Sequence, residues 1–441
     1  MLCGKQIWRR MIALLAVVTL PAGGATSSPL AFAGAKGYGA HAKGGRGGQV
    51  FHVTTLADGG AGSLRACLEA HGPRTCIFRI AGTIELEDEI WVREPFVTVA
   101  GQTAPGGGIQ VKNKSGARST RSPIEVRTHD VIVRHLRLRP GTGASPAATD
   151  SIGIASAENV ILDHVSLQWS LDENIGVEGE SITVQRSILS EGLLPHSKGA
   201  LACSDNASLC SKMTFYGNLF AHNQDRNPLV DTNNAPFDLI SNIIYNPGSE
   251  YVEIHDLGSG CSLVNVVGNV FRSGPSTKID TPAVVYHNGD PGASCQTKVF
   301  LARNTADGPV ADETVKPLIV DAPPAPPSAD AIDPPDTFRE VLAQAGAWPR
   351  DAVDARVVAD VMNRTGGLIG SSEQVGGWPI LATADPYPDA DQDGMDDGWE
   401  VAHDLDPTDP RDRNLLGAGG YTQLELFLDA LAKQLVPAGE L

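Results

Sequence analysis

The sequence predicts an all-β protein, a right-handed parallel β-helix or solenoid, with a small helical extension at its C-terminus. Three observations carry that prediction. Apolar, β-branched segments recur as VTVAGQTA from Val97, VIVRHLRL from Val131, VILDHVSL from Val160, ITVQRSIL from Ile182, MTFYGNLF from Met213, FDLISNII from Phe237, VNVVGNVF from Val264 and VFLARNTA from Val299. Their starts lie 34, 29, 22, 31, 24, 27 and 35 residues apart, the pattern of one coil of 22 residues plus side loops of variable length. Asparagine occupies the sixth position of the last four segments, as Asn218, Asn242, Asn269 and Asn304. Asparagine tolerates left-handed backbone, and its amide can bond the copy stacked above it, so the column suits a repeated bend. A β-sandwich would also give short strands and turns, but it would not give that column.

Composition agrees with a chain of short elements. Hydrophobic residues make up 41% of the 441 and charged residues only 20%, which is globular rather than disordered. The 48 glycines and 30 prolines favour many turns over long helices. A net charge of −18 without a clustered basic footprint excludes nucleic acid as a partner. An anionic ligand would have to be met by a local cationic patch or by metal ions.

The elements follow in order along the chain. In residues 1–25, Lys5, Arg9 and Arg10 precede the apolar run MIALLAVVTL and the small residues PAGGA, the three parts of a secretory signal peptide. The run is short for a membrane span, so the protein is expected to be secreted, extracellular or periplasmic, with no membrane span. Cleavage near Ala25 would remove those three basic residues, taking the charge from −18 to −21, and would remove Cys3. Six cysteines then remain in an exported chain, and sequence proximity suggests the disulfides Cys67–Cys76, Cys203–Cys210 and Cys261–Cys295. None forms the CxxC spacing of a metal site.

Residues 26–310 form the solenoid domain. Residues 311–380 follow as a proline-rich linker, DAPPAPPSADAIDPPD, and two helices, FREVLAQAGAWP and AVDARVVADVMNRTGG, the second ended by its glycines and both expected on the outside of the coil. In residues 381–441, DADQDGMDDGWE fits D-x-D-x-D-G-x5-E in every specified position, with carboxylates at Asp389, Asp391, Asp393, Asp397 and Glu400. No entering helix precedes it, so it reads as an EF-hand-like calcium loop, followed by a helix in YTQLELFLDALAKQL.

AFAGAKGYGAHAKGGRGG, VTTLADGGAGSLRACLEA, FRIAGTIEL, VAGQTAPGGGI, VIVRHLRLRPG, ENVILDHVSLQWSLDE, HSKGAL and NQDRNP together resemble the extracellular pectate lyases of the first polysaccharide lyase family. The resemblance runs from about Ala31 to Gly274. It implies a parallel β-helix that cleaves polygalacturonate, an acidic polysaccharide, by β-elimination with Ca2+ as cofactor, in pectin catabolism.

The chemistry says which residues such a site needs. Elimination removes the C5 proton beside a carboxylate, so negative charge builds on an already anionic group and fixed cations must meet it. Arg226, in NQDRNP, matches the family's arginine that takes the C5 proton. A guanidinium is a poor base, and a crowded cationic site would have to lower its pKa. Lys198, in His196-Ser197-Lys198, matches the lysine that binds the substrate carboxylate, with His196 ordering that turn or binding substrate beside it. His222 is a rival base.

Asp150 and Asp172 match calcium-binding aspartates, with Glu173 able to substitute, and Asp163 and His164 suit internal hydrogen bonding. Three positions depart from the family pattern: Ala148 and Gly176, where further aspartates are common, and Asp231, in place of a second substrate-binding arginine. Two other readings stay open on the same solenoid: a glycoside hydrolase, which would need paired carboxylates flanking the bond, and a glycan-binding module without catalysis. The chain is expected to act as a monomer.

Overall fold

The computed structural model describes Met1 and residues 29–114, 122–141, 149–203, 209–256, 261–287 and 296–436. The signal sequence beyond Met1, Ala148 and Cys295 lie outside the described residues. The described strands form a 16-stranded and a 9-stranded sheet whose ladders are parallel throughout. Two long strands, Ile152–Asp163 and Glu173–Gln185, turn from one face of the coil to the next and fuse two sheets into the larger one. The coil therefore has three faces.

The sequence repeat is the register of one of those faces. Val97 pairs with Val131, Val131 with Val160, Val160 with Ile182, Ile182 with Met213, Met213 with Phe237, Phe237 with Val264 and Val264 with Val299. All eight segments stack start to start. Two further strands, Gln49–Val53 and Arg74–Phe78, extend the same face toward the N-terminus.

A 3-10 turn over Gly101–Thr103 follows the first strand of the repeat. The bend after each of the last seven segments is left-handed, but not at the asparagine. Positive φ falls one residue earlier, at His135, His164, Arg186, Gly217, Ser241, Gly268 and Arg303, with values between 47° and 71°. The asparagine comes next and bonds along the axis. Asn218 Nδ2 donates to Asn242 Oδ1 at 3.0 Å, Asn242 to Asn269 at 3.0 Å and Asn269 to Asn304 at 3.1 Å. Each backbone N–H of Asn218, Asn242 and Asn269 also donates to the side-chain oxygen one coil on. Truncating a member would strand buried donors at about 1–3 kcal/mol each.

Between the faces lies one continuous apolar core running from Val53 to Val315. Helix α1 (Leu64–Leu68), which the sequence reading did not anticipate, packs on the first coils. Outside, α2 (Pro334–Gln344) and α3 (Ala352–Asn363) cover the 9-stranded sheet, burying Val341, Leu342, Val357 and Val361 against Ile188, Leu219, Ile243 and Tyr245. The left-handed cap of α3 is Arg364, at φ 55°, ahead of the glycines. The proline-rich stretch is pinned to the coil, Ser328 donating to Asp238 and Ala325 accepting from Asn265.

Residues 29–48 cross the same outer surface. Gly39 passes so close to the backbone of Val160 and Thr183 that a Cβ would not fit. Helices α4 (Asp397–Ala402) and α5 (Gln423–Leu435) pack over the first coils, with Met395, Leu424, Phe427 and Leu428 against Ile77 and Ala100.

Cys67–Cys76 and Cys203–Cys210 are disulfides, with Cα atoms 5.9 and 5.8 Å apart. Cys261 is also disulfide-bonded. Among the described residues no helix is long and apolar enough to cross a membrane.

Candidate active site

The face opposite the bends just described carries the charged residues that the sequence singles out. Stacking places Glu173 beside Lys198, Lys198 beside Asp225, and Leu229 beside Glu253. Acids and bases from four successive coils thus stand side by side on one face. Lys198 Nζ lies 2.5 Å from Asp225 Oδ1, and the Arg226 guanidinium is ion-paired with Glu173. Glu253 accepts the backbone N–H of Arg226 at 2.7 Å.

Local structure explains why the arginine stands there. Arg226 has φ 55°, and the backbone beneath it approaches Gly199 so closely that a Cβ would sit 2.5 Å from the Arg226 carbonyl. A buried amide relay runs under the turn. Ser170 Oγ donates to Asn174, Asn174 to Asn223, and Asn223 to Asn227, each at 3.0 Å. These residues are fully or almost fully buried, so the turn is set by hydrogen bonds that water cannot replace.

Carboxylates crowd the next coils. Burial, then repulsion from Glu173, Asp172 and Glu125, pushes the Asp150 carboxyl well above the usual range. Burial and Asp172 raise Glu173 to about 7 despite its pairing with Arg226. Asp172 Oδ1 is 2.9 Å from His196 Nε2, and Asp172, Glu173 and His196 each offer a donor atom within 4.8 Å of the others. Gly176 is filled from outside, since a Cβ there would lie 2.6 Å from Asp150 Oδ2. A side chain at that position would require the Asp150 carboxylate to move.

The protein groups around Arg226 do not by themselves supply a cationic setting. Burial acts against its charge, but Glu173, Glu253 and Asp225 outweigh burial and raise its pKa above the ordinary value. In the ligand-free protein its neighbours are anionic, not cationic. His222 is not a rival base. It is fully buried, its Nδ1 bonded to Asn246 at 2.9 Å and its Nε2 facing Asp360 of α3 at 3.6 Å.

Asp163 and His164 are internal, Asp163 bonding Arg134 at 2.9 Å and Gln185 at 2.7 Å. Asp231 is buried and so does not line the surface as the arginine it replaces would. The sequence reading missed Glu125, Asp225 and Glu253. Asp225 was in plain view beside Arg226, whereas Glu125 and Glu253 sit in no motif and become neighbours only through stacking.

The calcium-loop residues lie elsewhere, over the first coils. Asp389, Asp391 and Asp393 converge, as do Asp393, Glu400 and Asp412. Asp397 is not brought among those converging oxygens, because its Oδ1 accepts the Ala390 N–H at 2.8 Å. Asp412, beyond the motif, stands in the set instead.

No family model matches the chain. A curated relative described as a probable pectate lyase C, from Aspergillus flavus, is 35% identical over 427 residues, covering 94% of this chain and 96% of its own length. Another of that description, from Aspergillus fumigatus, is 36% identical over 423 residues, covering 92% and 95%. Among solved structures, the major cedar pollen allergen jun a 1 matches with a TM-score of 0.55 at 17% identity, over 71% of this chain and 92% of its own. That last likeness speaks for the fold alone. The fungal relatives speak for descent over nearly the whole length of both chains, and on that ground the chain belongs to the pectate lyase family.

Proposed function

We propose that the protein is a secreted, calcium-dependent lyase that cleaves polygalacturonate by β-elimination to 4,5-unsaturated products. The observation that carries this reading is the placement of Lys198 and Arg226 on adjacent coils, ion-paired to Asp225 and Glu173 and close to Asp150 and Asp172. The signal-like N-terminus and the disulfides favour export.

The acidic cluster fits a hard cation. Oxygen donors from Asp172 and Glu173 already converge, and burial followed by mutual repulsion pushes Asp150 and Glu173 upward, a cost that positive charge would relieve. Calcium held there supplies positive charge beside the uronate carboxylate, acidifying C5–H and offsetting the charge that develops on it.

The chain's own residues do the rest. Lys198 exchanges Asp225 for a substrate carboxylate and fixes the sugar. Arg226, if parted from Glu173 and having given a proton to solvent, would take the C5 proton as the neutral guanidine. The electron pair forms the C4–C5 double bond, the C4–O4 bond breaks, and the departing oxygen takes a proton from solvent. Arg226 then returns its proton to solvent.

Ultraviolet absorbance of the unsaturated product, followed on polygalacturonate with calcium, tests the reading. New reducing ends without that chromophore would indicate hydrolysis, and binding without cleavage would indicate a glycan-binding module.

A further inference from the structure

Six carboxylate oxygens in the C-terminal segment are buried and lack any hydrogen-bond partner: Asp389 Oδ2, Asp391 Oδ2, Asp393 Oδ2, Glu400 Oε1, Glu400 Oε2 and Asp412 Oδ1. Asp393 and Glu400 are 0% exposed and Asp412 is 8% exposed. Leaving carboxylates in this state costs several kcal/mol each unless something neutralises them.

The four aspartates divide their oxygens in one consistent way. One oxygen of each shapes the backbone: Asp389 and Asp391 accept the Asp393 N–H, Asp393 accepts from Met395, and Asp412 accepts from Asp406, at 2.9–3.2 Å. The other oxygen of each is the buried one without a partner. The protein's own cations reach only the edge. Arg79 Nη1 at 3.6 Å and His52 Nε2 at 4.0 Å both approach a single atom, Asp389 Oδ2. Among the described residues no ion pair reaches Asp393, Glu400 or Asp412.

From this geometry we infer a second divalent-cation site, built from Asp389, Asp391, Asp393, Glu400 and Asp412, that locks the C-terminal segment onto the first coils of the solenoid. An all-oxygen set of five carboxylates with six available atoms suits calcium, which takes six to eight oxygens, and not zinc, which favours nitrogen and sulfur. Asp412 makes the site a clamp. It lies twelve residues past Glu400, just ahead of the turn into α5, so one ion joins the loop to the segment that leads into that helix. Met395, within the loop, is fully buried among Ile77, Ala100, Leu424, Phe427 and Leu428, which carries the order of the loop into the contact between α5 and the coils. The site is separate from the acidic surface around Arg226, and nothing in it depends on the elimination reading.

Calcium titration of the full chain by calorimetry tests this, with limited proteolysis of residues 381–436 as the second readout. Asp412→Asn and Glu400→Gln should each weaken one class of calcium site by about tenfold or more while leaving lyase turnover at saturating calcium unchanged. Asp397→Asn should leave that class within about twofold, because Asp397 lies outside the converging set. Calcium should protect α5 from protease in the unsubstituted chain and fail to do so in Asp412→Asn. Equal calcium binding in Asp412→Asn and the unsubstituted chain would overturn the proposal. So would equal protease resistance of the unsubstituted chain in calcium and in chelator, a measurement that stands even if a variant fails to fold. Loss of the unsaturated product alone would count against the catalytic reading and leave the clamp intact.

Discussion

Two carboxylate clusters in this molecule are neutralised in opposite ways. Around Arg226 three acids have basic partners from the protein itself: Glu173 on Arg226, Asp225 on Lys198 and Asp172 on His196. In the C-terminal loop, Asp393, Glu400 and Asp412 have none, and their spare oxygens are shut away from water. A surface that must exchange ligands keeps internal stand-ins, so that releasing a product does not leave bare charge behind. A site that holds one ion permanently has no use for them. On these two proposals, the same residue type would serve an exchangeable site in one place and a fixed one in the other, distinguished by burial and partnering.

The comparison breaks first at Arg226. Arg226→Lys should keep the fold and lower kcat by about a thousandfold or more, since lysine loses both the reach and the planar fork of guanidinium. Initial rates of unsaturated product formation, with circular dichroism as the check on folding, would measure it. A kcat within tenfold would remove Arg226 from the chemistry.

Asp150→Ala sharpens the separation of the two clusters. The calcium concentration for half-maximal turnover should rise by about a hundredfold, while the calcium-dependent protease resistance of α5 stays as it was. A parallel shift in both would mean one coupled metal system instead of two.

A third cluster supplies the limiting case, acids paired to bases for good. Arg139 lies between Asp351 at 2.5 Å and Asp354 at 2.9 Å, with Arg139 and Asp354 fully buried and Asp351 half-buried at the start of α3. Burial would raise the Asp351 pKa, but Arg139 and Arg137 outweigh it and hold the carboxyl at about 2. A depressed folded-state pKa gives stability that is present above the unfolded value near 4 and is lost as pH falls through the folded one. Stability should therefore drop by about 2 kcal/mol between pH 4 and pH 2 on account of this group. Asp351→Asn keeps an oxygen to accept the N–H groups of Val353 and Asp354 and should flatten that part of the curve, read from denaturant midpoints across the range. An unchanged acid limb would show that the pair is not where the charge energy lies.

What the sequence disclosed follows from how far each interaction reaches. The eight repeat segments were legible because one face of each coil is encoded in consecutive residues, and their starts proved to be the ladder itself. The Gln49 and Arg74 strands escaped because polar residues open them. Arg226 and Lys198 were legible through their short motifs. Their partners were not, because Glu173 and Arg226 lie 53 residues apart and meet only after the coils stack. For the same reason the sequence did not show that the protein groups around Arg226 are anionic. The loop motif placed Asp397 by spacing, but the fold assigned its carboxylate to the Ala390 N–H and brought Asp412 in from outside the pattern.

The carboxylate of Asp429 on α5 accepts the Ala33 N–H at 2.9 Å and faces Arg134 at 2.8 Å. Residues almost four hundred positions apart therefore share one side chain. In time rather than space, this reverses the order in which the chain is made. The first coils leave the ribosome early, yet the outer surface of those coils stays uncovered until the last helix arrives. The earliest part of the molecule is the last to be finished, and a chain released short of α5 would carry an open flank on its oldest turns.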